Sequence, residues 1–465
     1  MSQENQNCSN KLNEKVIQEI DQKSHEFLRY LYSSIKDYHG QLPNLRDIFR
    51  PEAIDWLLTE SVISSKFGRA PFVNFVINSG YKDEPEVDKD GKLLLRRTTP
   101  IHRVAESTSI AGQRSIIIDL FQIYNRFDVN YTNEDGLTHF HVACEYGCLE
   151  IVKNFLDLGQ DPNVPVEDTG NSPLHLAAIG NCTDEFKLLL KRGANPNSAN
   201  DEGETPLHKS VFFQRYRDEE YAKILFEICD EQRQSVKVDA RDNEGRTPLQ
   251  LAAANMLPNT VDVLLNYGAD LSSFVFPTED DVDKELQHEE FEFNFQYGLA
   301  SGAMAVVEQL EKRGYELERS DALTIMALFK KYNLFEKSKD NAKRWYNNKR
   351  FTKKAKKVLI KPNLSLYDLI RLKPEESAKI LTCMDYYNLA KSDNFLWELP
   401  EKYQTVCALY FCEKISRGFF RRWALNDFME LTRYRLPILC SEIIIKQLTN
   451  KDLWGICSAA TDKSS

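Results

Sequence analysis

Several features that would classify the protein at once are missing from its sequence. No run approaches the roughly 18 apolar residues of a membrane-spanning helix, so we expect no membrane partner. The ten cysteines form no C-x-x-C pair and have no histidine at zinc spacing, which argues against metal sites and disulfide frameworks. Phosphate-cradling, zinc-protease and serine-hydrolase motifs are also absent. We therefore expect no enzyme, no catalytic residue, no cofactor and no metal.

The charge balance carries no strong excess of either sign. There are 60 Lys and Arg residues against 70 Asp and Glu residues, a net charge of −10. This total gives no argument for nucleic acid, which we do not expect as a partner. Because Met1–Asn13 is polar and the thiols are scattered, we expect a cytoplasmic location with the nucleus as the alternative. We expect a monomer apart from its partners.

One four-residue motif, typified by Thr-Pro-Leu-His, recurs five times. Its copies begin at residues 99, 138, 172, 205 and 247, which places them 39, 34, 33 and 42 residues apart. The Thr or Ser can cap a helix, the Pro fits the first helical position, and the Leu points inward. The His can tie its ring to the capping hydroxyl and to neighbouring backbone. The motif therefore predicts a series of short helix pairs, whose second helices end at Gly159, Gly193 and Gly268.

A period near 33 residues that carries this motif resembles the ankyrin-repeat family over residues 99–270. The resemblance implies an all-α solenoid of helix pairs with projecting hairpins, which binds proteins. We predict an N-terminal helical extension at 1–50 and an ankyrin array at 51–335. Degenerate repeats at about 51–90 and 293–335 would close its two ends.

The hairpin tips and one insertion form the predicted target-binding surface. The tips are acidic and would favour a basic partner segment, although turn chemistry alone also selects Asp and Asn there. Aromatic residues in the fourth repeat's insertion would either anchor an interface or fill space between repeats. The predicted target-binding residues are Glu134, Asp135, Asp168, Asp201, Glu202, Phe212, Phe213, Tyr216, Asp242 and Glu244.

Two segments of opposite charge follow the repeats. Residues 278–292 hold eight acidic residues against Lys284 and are predicted to be an acidic connector that forms a solvated loop. Residues 336–362 are predicted to be a basic linker, within a stretch of 13 Lys and Arg residues against two acidic ones at 330–361. The stretch Lys343–Lys361 has three interpretations: a nuclear import signal, a surface that contacts phosphate, or a solvated helix.

The last part of the chain has helical patterns without the repeated motif. Residues 436–453 open with Leu-Pro, continue as an Ile/Leu-rich helix that we expect to be buried, and end in a polar turn before Asp-Leu. Asp452 would cap the next helix. Four earlier helices are predicted at Leu366–Leu372, Pro374–Asn388, Tyr403–Arg417 and Leu425–Leu431.

This C-terminal part, predicted as a small helical domain at 363–458, resembles the PRANC module of poxvirus-type ankyrin proteins, which is related to the F-box. The resemblance implies that the module docks the adaptor subunit of a cullin–RING ubiquitin ligase. The residues that match the F-box pattern are Leu436, Pro437, Ile444, Leu448, Asp452 and Leu453. A structural alternative is a helical cap that buries the end of the chain.

The predicted function is that of a protein-binding adaptor. The array would capture a target protein, and the C-terminal module would deliver it to the ligase. One alternative is an ankyrin scaffold or competitive inhibitor of a signalling or transcription-factor complex, with the module only structural. Another is a nuclear or nucleic-acid-associated regulator that depends on Lys343–Lys361. A nucleophile pair of Cys144 and His141 is conceivable, but a repeat His beside a buried small residue explains both.

Overall fold

The structure is a computed structural model that describes residues 44–63, 71–107, 112–211, 219–286, 295–335, 345–392, 396 and 398–464. The chain divides into two compact units. Unit 1 comprises residues 1–210 together with 224–236, and unit 2 comprises residues 211–223 together with 237–465. Most of the predicted N-terminal extension, residues 1–43, lies outside the described residues.

Unit 1 is built from consecutive pairs of short helices. Phe121, Phe155 and Leu189, each from the second helix of a pair, are 2% exposed or less and form part of its core. The helices are α1 Pro51–Ile63, α2 Pro71–Asn78, α3 Pro100–Glu106, α4 Gln113–Ile123, α5 His139–Glu145, α6 Leu149–Asp157, α7 Pro173–Ile179, α8 Thr183–Lys191, α9 Pro206–Lys209 and α10 Glu220–Gln232, the last of which belongs to unit 1 from residue 224.

The repeated motif starts the first helix of each pair by the same hydrogen bond. The main-chain N–H of the capping Thr or Ser donates to the side chain of the fourth motif residue at 3.0–3.1 Å in all five copies. The acceptor is His Nδ1 in the first four copies and Gln250 Oε1 in the fifth. This bond satisfies an N–H that the helix itself leaves unpaired.

Two of these histidines, His141 and His175, also contact a later segment of the chain. Because Nδ1 accepts a hydrogen bond, the ring proton sits on Nε2. The Nε2 of His141 donates to the carbonyl of Val164 at 2.8 Å, and that of His175 donates to the carbonyl of Glu204 at 2.9 Å. Each ring therefore joins its own helix start to a later segment of the chain.

The first helix pair lacks the motif and is held by a partly buried ionic cluster. The guanidinium of Arg97 donates to Asp55 at 2.5 Å and to Asp83 at 3.0 Å. The hydroxyls of Tyr124 and Tyr131 donate to the same two carboxylates, Asp55 and Asp83 respectively, each at 2.5 Å. Burial raises the pKa of Asp55 to about 6 despite these donors. The cluster ties α1 to the repeat that follows it.

Unit 2 contains the last copy of the motif and all the described C-terminal residues. Its described elements are α11 Pro248–Ala254, α12 Pro258–Asn266, α13 Glu279–Leu286, α14 Phe295–Lys312, α15 Arg319–Lys331, α16 Lys349–Ala355, β1 Leu359–Lys361, β2 Leu364–Ser365, α17 Leu366–Arg371, α18 Pro374–Ser377, α19 Cys383–Lys391, α20 Glu401–Leu431, α21 Ile438–Gln447 and α22 Asn450–Ser464.

The predicted degenerate repeat at 293–335 contains two helices, α14 and α15. The first of them, α14, is one continuous helix of 18 residues. Its Gly302 lies so close to the repeat before it that an added Cβ would be 2.6 Å from the carbonyl oxygen of Met256. The small side chains around Gly302 explain this close approach, since they permit tight helix packing.

The C-terminal helices pack directly on α14. The hydroxyl of Tyr297, which is fully buried, donates to the carbonyl of Tyr386 in α19 at 2.9 Å. Glu311 near the end of α14 pairs with Arg422 of α20 at 2.7 Å. The described part of the predicted basic linker is also folded into unit 2, since Phe351 and Ala355 of α16 are fully buried.

Three details of the C-terminal part differ from the sequence predictions. The antiparallel pair β1–β2 adds two short strands to a part predicted to be all-helical. The helices predicted at Tyr403–Arg417 and Leu425–Leu431 are parts of one 31-residue helix, α20, because the residues between them are also helical. The helix predicted at 374–388 is divided into α18 and α19, because Thr382 starts a new helix by a capping box with Asp385.

The predicted acidic connector is not a solvated loop over its described part. Residues 279–286 form helix α13, whose Val282 and Leu286 are buried. Its acidic side chains have cationic partners within unit 2: Asp283 pairs with Lys331, and Glu285 lies 3.5 Å from Arg246. Two apolar residues four positions apart therefore fix this helix on unit 2 despite its charge.

Candidate protein-binding surfaces

The hairpin tips of unit 1 are stabilised by asparagine side chains. Asn133 Oδ1 accepts from the main-chain N–H groups of Asp135 and Leu137 at 3.1 and 2.8 Å. Asn200 Oδ1 accepts in the same way from Glu202 and Glu204. These bonds hold the tip backbone in one conformation, so the acidic side chains beside them are presented from a rigid support.

Main-chain hydrogen bonds also join one tip to the next. The N–H of Asp168 donates to the carbonyl of Asp135 at 3.1 Å, and the N–H of Asp201 donates to the carbonyl of Thr169 at 3.1 Å. Gly136 has a φ of 79° and approaches the next tip so closely that a Cβ would be 2.3 Å from Glu167 Cβ. The three tips are thus joined in a single row within unit 1.

Five of the predicted target-binding residues form an exposed acidic edge on this row, which we call the unit-1 rim. Its negative charge is partly balanced, because Lys209 lies 3.4 Å from Glu202, and Arg96 lies 3.5 Å from the neighbouring Glu167. The rim can attract a cationic partner segment over a distance comparable to the Debye length, about 10 Å at moderate salt. The rim residues are Glu134, Asp135, Asp168, Asp201 and Glu202.

The prediction for Asp242, in unit 2, is wrong. Asp242 is 6% exposed, and its carboxylate accepts from Arg246 Nε at 2.7 Å and from the main-chain N–H groups of Glu244 and Arg246. It shapes the loop and cannot present a charge to a partner. Glu244 is exposed, as a contact residue must be, and lies 3.4 Å from Arg246.

The aromatic insertion of the fourth repeat is the remaining part of the predicted target-binding surface. Phe212, Phe213 and Tyr216 lie outside the described residues. Their predicted role in target binding stays a prediction.

At the C-terminus, α21 and α22 form a helical hairpin that packs on α20 and is held there by polar contacts. Thr449 caps α22: its hydroxyl accepts from the N–H of Asp452, whose carboxylate accepts from the Thr449 N–H at 2.8 Å. Asp452 therefore sits at the third helical position and completes a capping box, and is not itself the cap. Buried Asn450 donates to the carbonyl of Glu413 and to the Ser416 hydroxyl on α20.

Helix α21, predicted to be buried, exposes most of its aliphatic side chains. This helix packs on α20, and Ser441 and Ile445 are its only buried residues. The other large aliphatic residues form what we call the α21 face: Ile438, Leu439, Ile443 and Ile444, which are 52%, 69%, 62% and 37% exposed. The sequence shows apolar residues all round this helix, so burial was expected, but the unit supplies a neighbour on one side only.

The six predicted adaptor-docking residues divide between surface and core. Pro437, Ile444 and Asp452 are exposed, and Leu436 and Leu448 are half-buried. Leu453 is fully buried, and its assignment as a contact residue is wrong, since α22 packs it inside the unit. Ile438, Leu439 and Ile443, which lie outside the F-box pattern, are more accessible than any of the three matched leucines.

The thiol–imidazole pair conceived from the sequence is not available for catalysis. Both ring nitrogens of His141 are engaged, Nδ1 by the Thr138 N–H and Nε2 by the Val164 carbonyl. Burial lowers the pKa of His141 to about 4 and raises the pKa of the Cys144 thiol well above its usual value. The two groups therefore have no charged form near neutral pH and no free lone pair on the base.

Two other kinds of site are absent from the described ranges. There, no three His, Cys, Asp or Glu side chains cluster in a way that could hold a metal ion. No described helix combines the length and the apolar character that crossing a bilayer would demand.

Known proteins match the repeat region. The family model described as "Ankyrin repeats (3 copies)" matches residues 101–200, 146–234 and 174–274. The human neurogenic locus notch homolog protein 4 is 38% identical over 127 residues, which cover 27% of this chain and 6% of that protein. The human notch homolog protein 1 is 31% identical over 174 residues, 35% of this chain and 6% of that protein.

A "Probable serine/threonine-protein kinase" of Dictyostelium discoideum is 36% identical over 110 residues, 22% of this chain and 13% of that protein. The chain thus spans only 6–13% of the length of these three relatives. Ankyrin repeats bind proteins and are typically non-enzymatic. The helix pairs, the motif and the family match together show that residues 101–274 of this chain are ankyrin repeats, which implies a protein-binding role.

Proposed function

We propose that the chain is a substrate receptor whose ankyrin repeats bind a target protein and whose α21 face docks the adaptor subunit of a cullin–RING ubiquitin ligase. The exposure of the α21 face carries the proposal. Four large aliphatic side chains on one ten-residue helix are 37–69% exposed, whereas exposed apolar residues on soluble proteins are usually scattered singly. Exposed aliphatic side chains concentrated on one short helix are typical of protein docking sites.

The choice of the adaptor as partner rests on the F-box-like order of residues 436–453. Leu436 and Pro437 precede the exposed helix, and the Thr449–Asp452 capping box starts the next one. Of the matched residues, Pro437, Ile444 and Asp452 are accessible to a partner. The aliphatic residues of the α21 face would supply the apolar contact area, since fully desolvated apolar side chains contribute most to affinity.

For the target, we propose a protein with a basic segment that contacts the unit-1 rim. The support is the sign and exposure of the five rim carboxylates on a rigid backbone. Electrostatic steering of this kind mainly raises the association rate and weakens with salt.

The second candidate function is a scaffold or competitive inhibitor in which the C-terminal helices only complete unit 2. The observation that favours it is the packing of α19 and α20 on α14, where Tyr297 and Tyr386 meet. This packing accounts for the buried side of the module. It gives no reason for the exposed α21 face.

Point substitutions test the proposal better than truncation. Removing the chain after α20 would also remove Leu453, Cys457 and Ala460, which are at most 4% exposed and belong to the core. The test variant is L439D/I443D in the full chain. The matched control is V275D/L359D, whose two side chains are each 65% exposed, close to the 69% and 62% of the test pair.

We expect purified adaptor subunit to bind the wild type and the control equally in calorimetry. We expect L439D/I443D to bind at least about tenfold more weakly, a loss of about 1.4 kcal/mol. Cullin should co-purify with the wild type and with the control, but not with L439D/I443D. Equal adaptor binding by both variants, or none by the wild type, rejects the receptor role and leaves the scaffold or inhibitor.

We propose a cytoplasmic location, with the nucleus as the alternative if Lys343–Lys361 acts as an import signal. A fluorescent fusion of the full chain that is excluded from the nucleus would reject the alternative.

A further inference from the structure

Residues 349–357 form a compact basic patch in unit 2 that the protein-binding proposals leave without a role. Their sequence is Lys-Arg-Phe-Thr-Lys-Lys-Ala-Lys-Lys, six cations in nine residues without an acid. All six cationic residues are exposed, on α16 and on the turn after it. We call these six residues the basic surface: Lys349, Arg350, Lys353, Lys354, Lys356 and Lys357.

The basic surface carries a high density of positive charge. Within the described ranges, no carboxylate forms an ion pair with any of the six, although other basic residues of unit 2 do have such partners. Lys361 lies 3.3 Å from Asp385, and Arg313 lies 3.0 Å from Asp262. A cationic cluster of this size produces a positive field that reaches into the solvent, despite the net charge of −10 for the chain.

The placement of these charges opposes the stability of their own helix. Lys349 and Arg350 occupy the first turn of α16, where the helix dipole disfavours cations, and no acidic residue stands there. Lys349 and Lys353, like Arg350 and Lys354, are like charges four positions apart, which repel one another on a helix surface. The helix is retained by its buried side, and a polyanion bound to the exposed side would relieve both repulsions.

That buried side is firmly anchored. Phe351 and Ala355 are fully buried, and the Phe351 ring lies 4.9 Å from that of Trp345 and 5.3 Å from that of Tyr403. Lys353–Lys357 are therefore part of a folded element. An import signal that must be bound as a free, extended segment does not match this arrangement, but a preformed surface for phosphate groups does.

We propose that the basic surface binds the phosphate backbone of nucleic acid without reading its base sequence. Basic residues four apart on α16 recur about every 6 Å, so one face of the helix can contact several phosphates of one strand. Arg371 extends the surface: its guanidinium and the Lys356 ammonium lie 5.6 and 5.2 Å from the centre of the same Tyr367 ring.

An acidic protein segment fits the basic surface less well. Phe351, Ala355 and Val358 point inward, and the nearest exposed large aliphatic residue along the chain is Leu359 in β1. Protein interfaces depend on apolar and aromatic anchors and are poor in Lys at their centre. Phosphate-backbone binding depends on Lys and Arg charge alone, which is what this surface offers.

The test measures binding of the full chain to a fluorescent oligonucleotide of about 24 residues as single-stranded DNA, duplex DNA and RNA, at about 50 and 200 mM salt. The test variant is K349Q/R350Q/K353Q/K354Q. The matched control is K89Q/K92Q/K153Q/K191Q, which removes the same charge from exposed positions of unit 1. K349R/K353R/K354R keeps the charge and reports whether any loss stems from the altered helix.

We expect the wild type, the control and the arginine variant to bind at least one of the three oligonucleotides, more weakly at the higher salt. The glutamine variant should bind at least about tenfold more weakly at low salt, and its log–log salt slope should be shallower by about 0.7–0.9 for each phosphate that is no longer neutralised. Its thermal midpoint should be unchanged or higher, since repulsion on α16 is removed.

Two results would overturn the inference. One is equal affinity of the glutamine variant and the control. The other is that the wild type binds none of the oligonucleotides. If a poly-glutamate peptide binds the basic surface in that case, the partner is an acidic protein instead.

Discussion

His175 donates from Nε2 to the main-chain carbonyl of Glu204 at 2.9 Å, and so joins one ankyrin repeat of unit 1 to the tip of the next. The same ring accepts from the Ser172 N–H at 3.1 Å, which requires the neutral form. Burial lowers the pKa of His175 to about 4, so the ring stays neutral far below its usual titration range. The repeat connection thus depends on an uncharged imidazole, and this dependence gives a testable pH effect.

The substitution H175Q should remove an acid-sensitive part of the stability while preserving the structure at pH 7. Gln250 shows that glutamine fits the position: its Oε1 accepts from the Thr247 N–H at 3.0 Å, and its Nε2 donates to the Val275 carbonyl at 3.3 Å. In the unfolded chain the histidine takes up a proton near pH 6.5, whereas the folded ring does so near pH 4. Its stabilising contribution is therefore complete above pH 6.5 and is lost as the pH falls towards 4.

When the pH falls from 7 to 4, the free energy of unfolding of the wild type should decrease by on the order of 3 kcal/mol more than that of H175Q. Urea unfolding at both pH values measures it. Burial also raises the pKa of Asp55 to about 6 and that of Glu145 to about 7, so these two groups favour the folded state as the pH falls. Both proteins contain them, and their effect cancels in the comparison. Parallel pH curves for both proteins would contradict the prediction.

Substitution of Arg97 should destabilise unit 1 strongly. R97M leaves the partly buried carboxylate of Asp55 and the buried carboxylate of Asp83 without their cation, and breaking a buried pair costs about 3–5 kcal/mol. The adjacent Arg96 is the control, because its ion pair with Glu167 is exposed and R96M should cost less than about 1 kcal/mol. Chemical denaturation and hydrogen exchange of α1 would measure the two effects, and similar values for both variants would refute the cluster's role.

Replacement by alanine should affect two leucines of the C-terminal hairpin very differently. Leu453 is fully buried, so L453A should lower the free energy of unfolding of unit 2 by about 2–5 kcal/mol through the cavity it leaves. Leu439 is 69% exposed, so L439A should change the stability by less than about 0.5 kcal/mol. Urea unfolding of the full chain compares them, and a large loss for L439A would show that the α21 face is covered within the chain.

Neutralising the unit-1 rim should weaken the binding of cationic segments. In E134Q/D168N/D201N three exposed carboxylates are removed, and binding of a lysine-rich peptide should fall at low salt while remaining similar at about 200 mM. The control E150Q/D157N/D161N removes three exposed carboxylates away from the tips and should have the smaller effect. Equal loss in both variants would mean that only the overall charge matters.

The sequence alone determined the repeats and much of what they do. Local chemistry suffices there, because the first and fourth residues of the motif are hydrogen-bonded to each other wherever it occurs, as Thr138 with His141 and Ser172 with His175 show. The period of the motif predicted the helix pairs, and the Asn and Asp content predicted the tips. The prediction for Asp242 failed because the folded loop places Arg246 beside its carboxylate, a contact that the sequence does not reveal.

Tertiary structure decided what lies beyond the motif. Whether an aliphatic helix is core or surface depends on the number of neighbours it receives, which local sequence does not contain: Ile445 of α21 is buried, and Ile443 is exposed. In the same way, buried Val282 and Leu286 hold the acidic helix α13 on unit 2. Buried Phe351 and Ala355 anchor the basic helix α16. Packing partners distant in sequence, not composition, determine which surfaces this chain offers for binding.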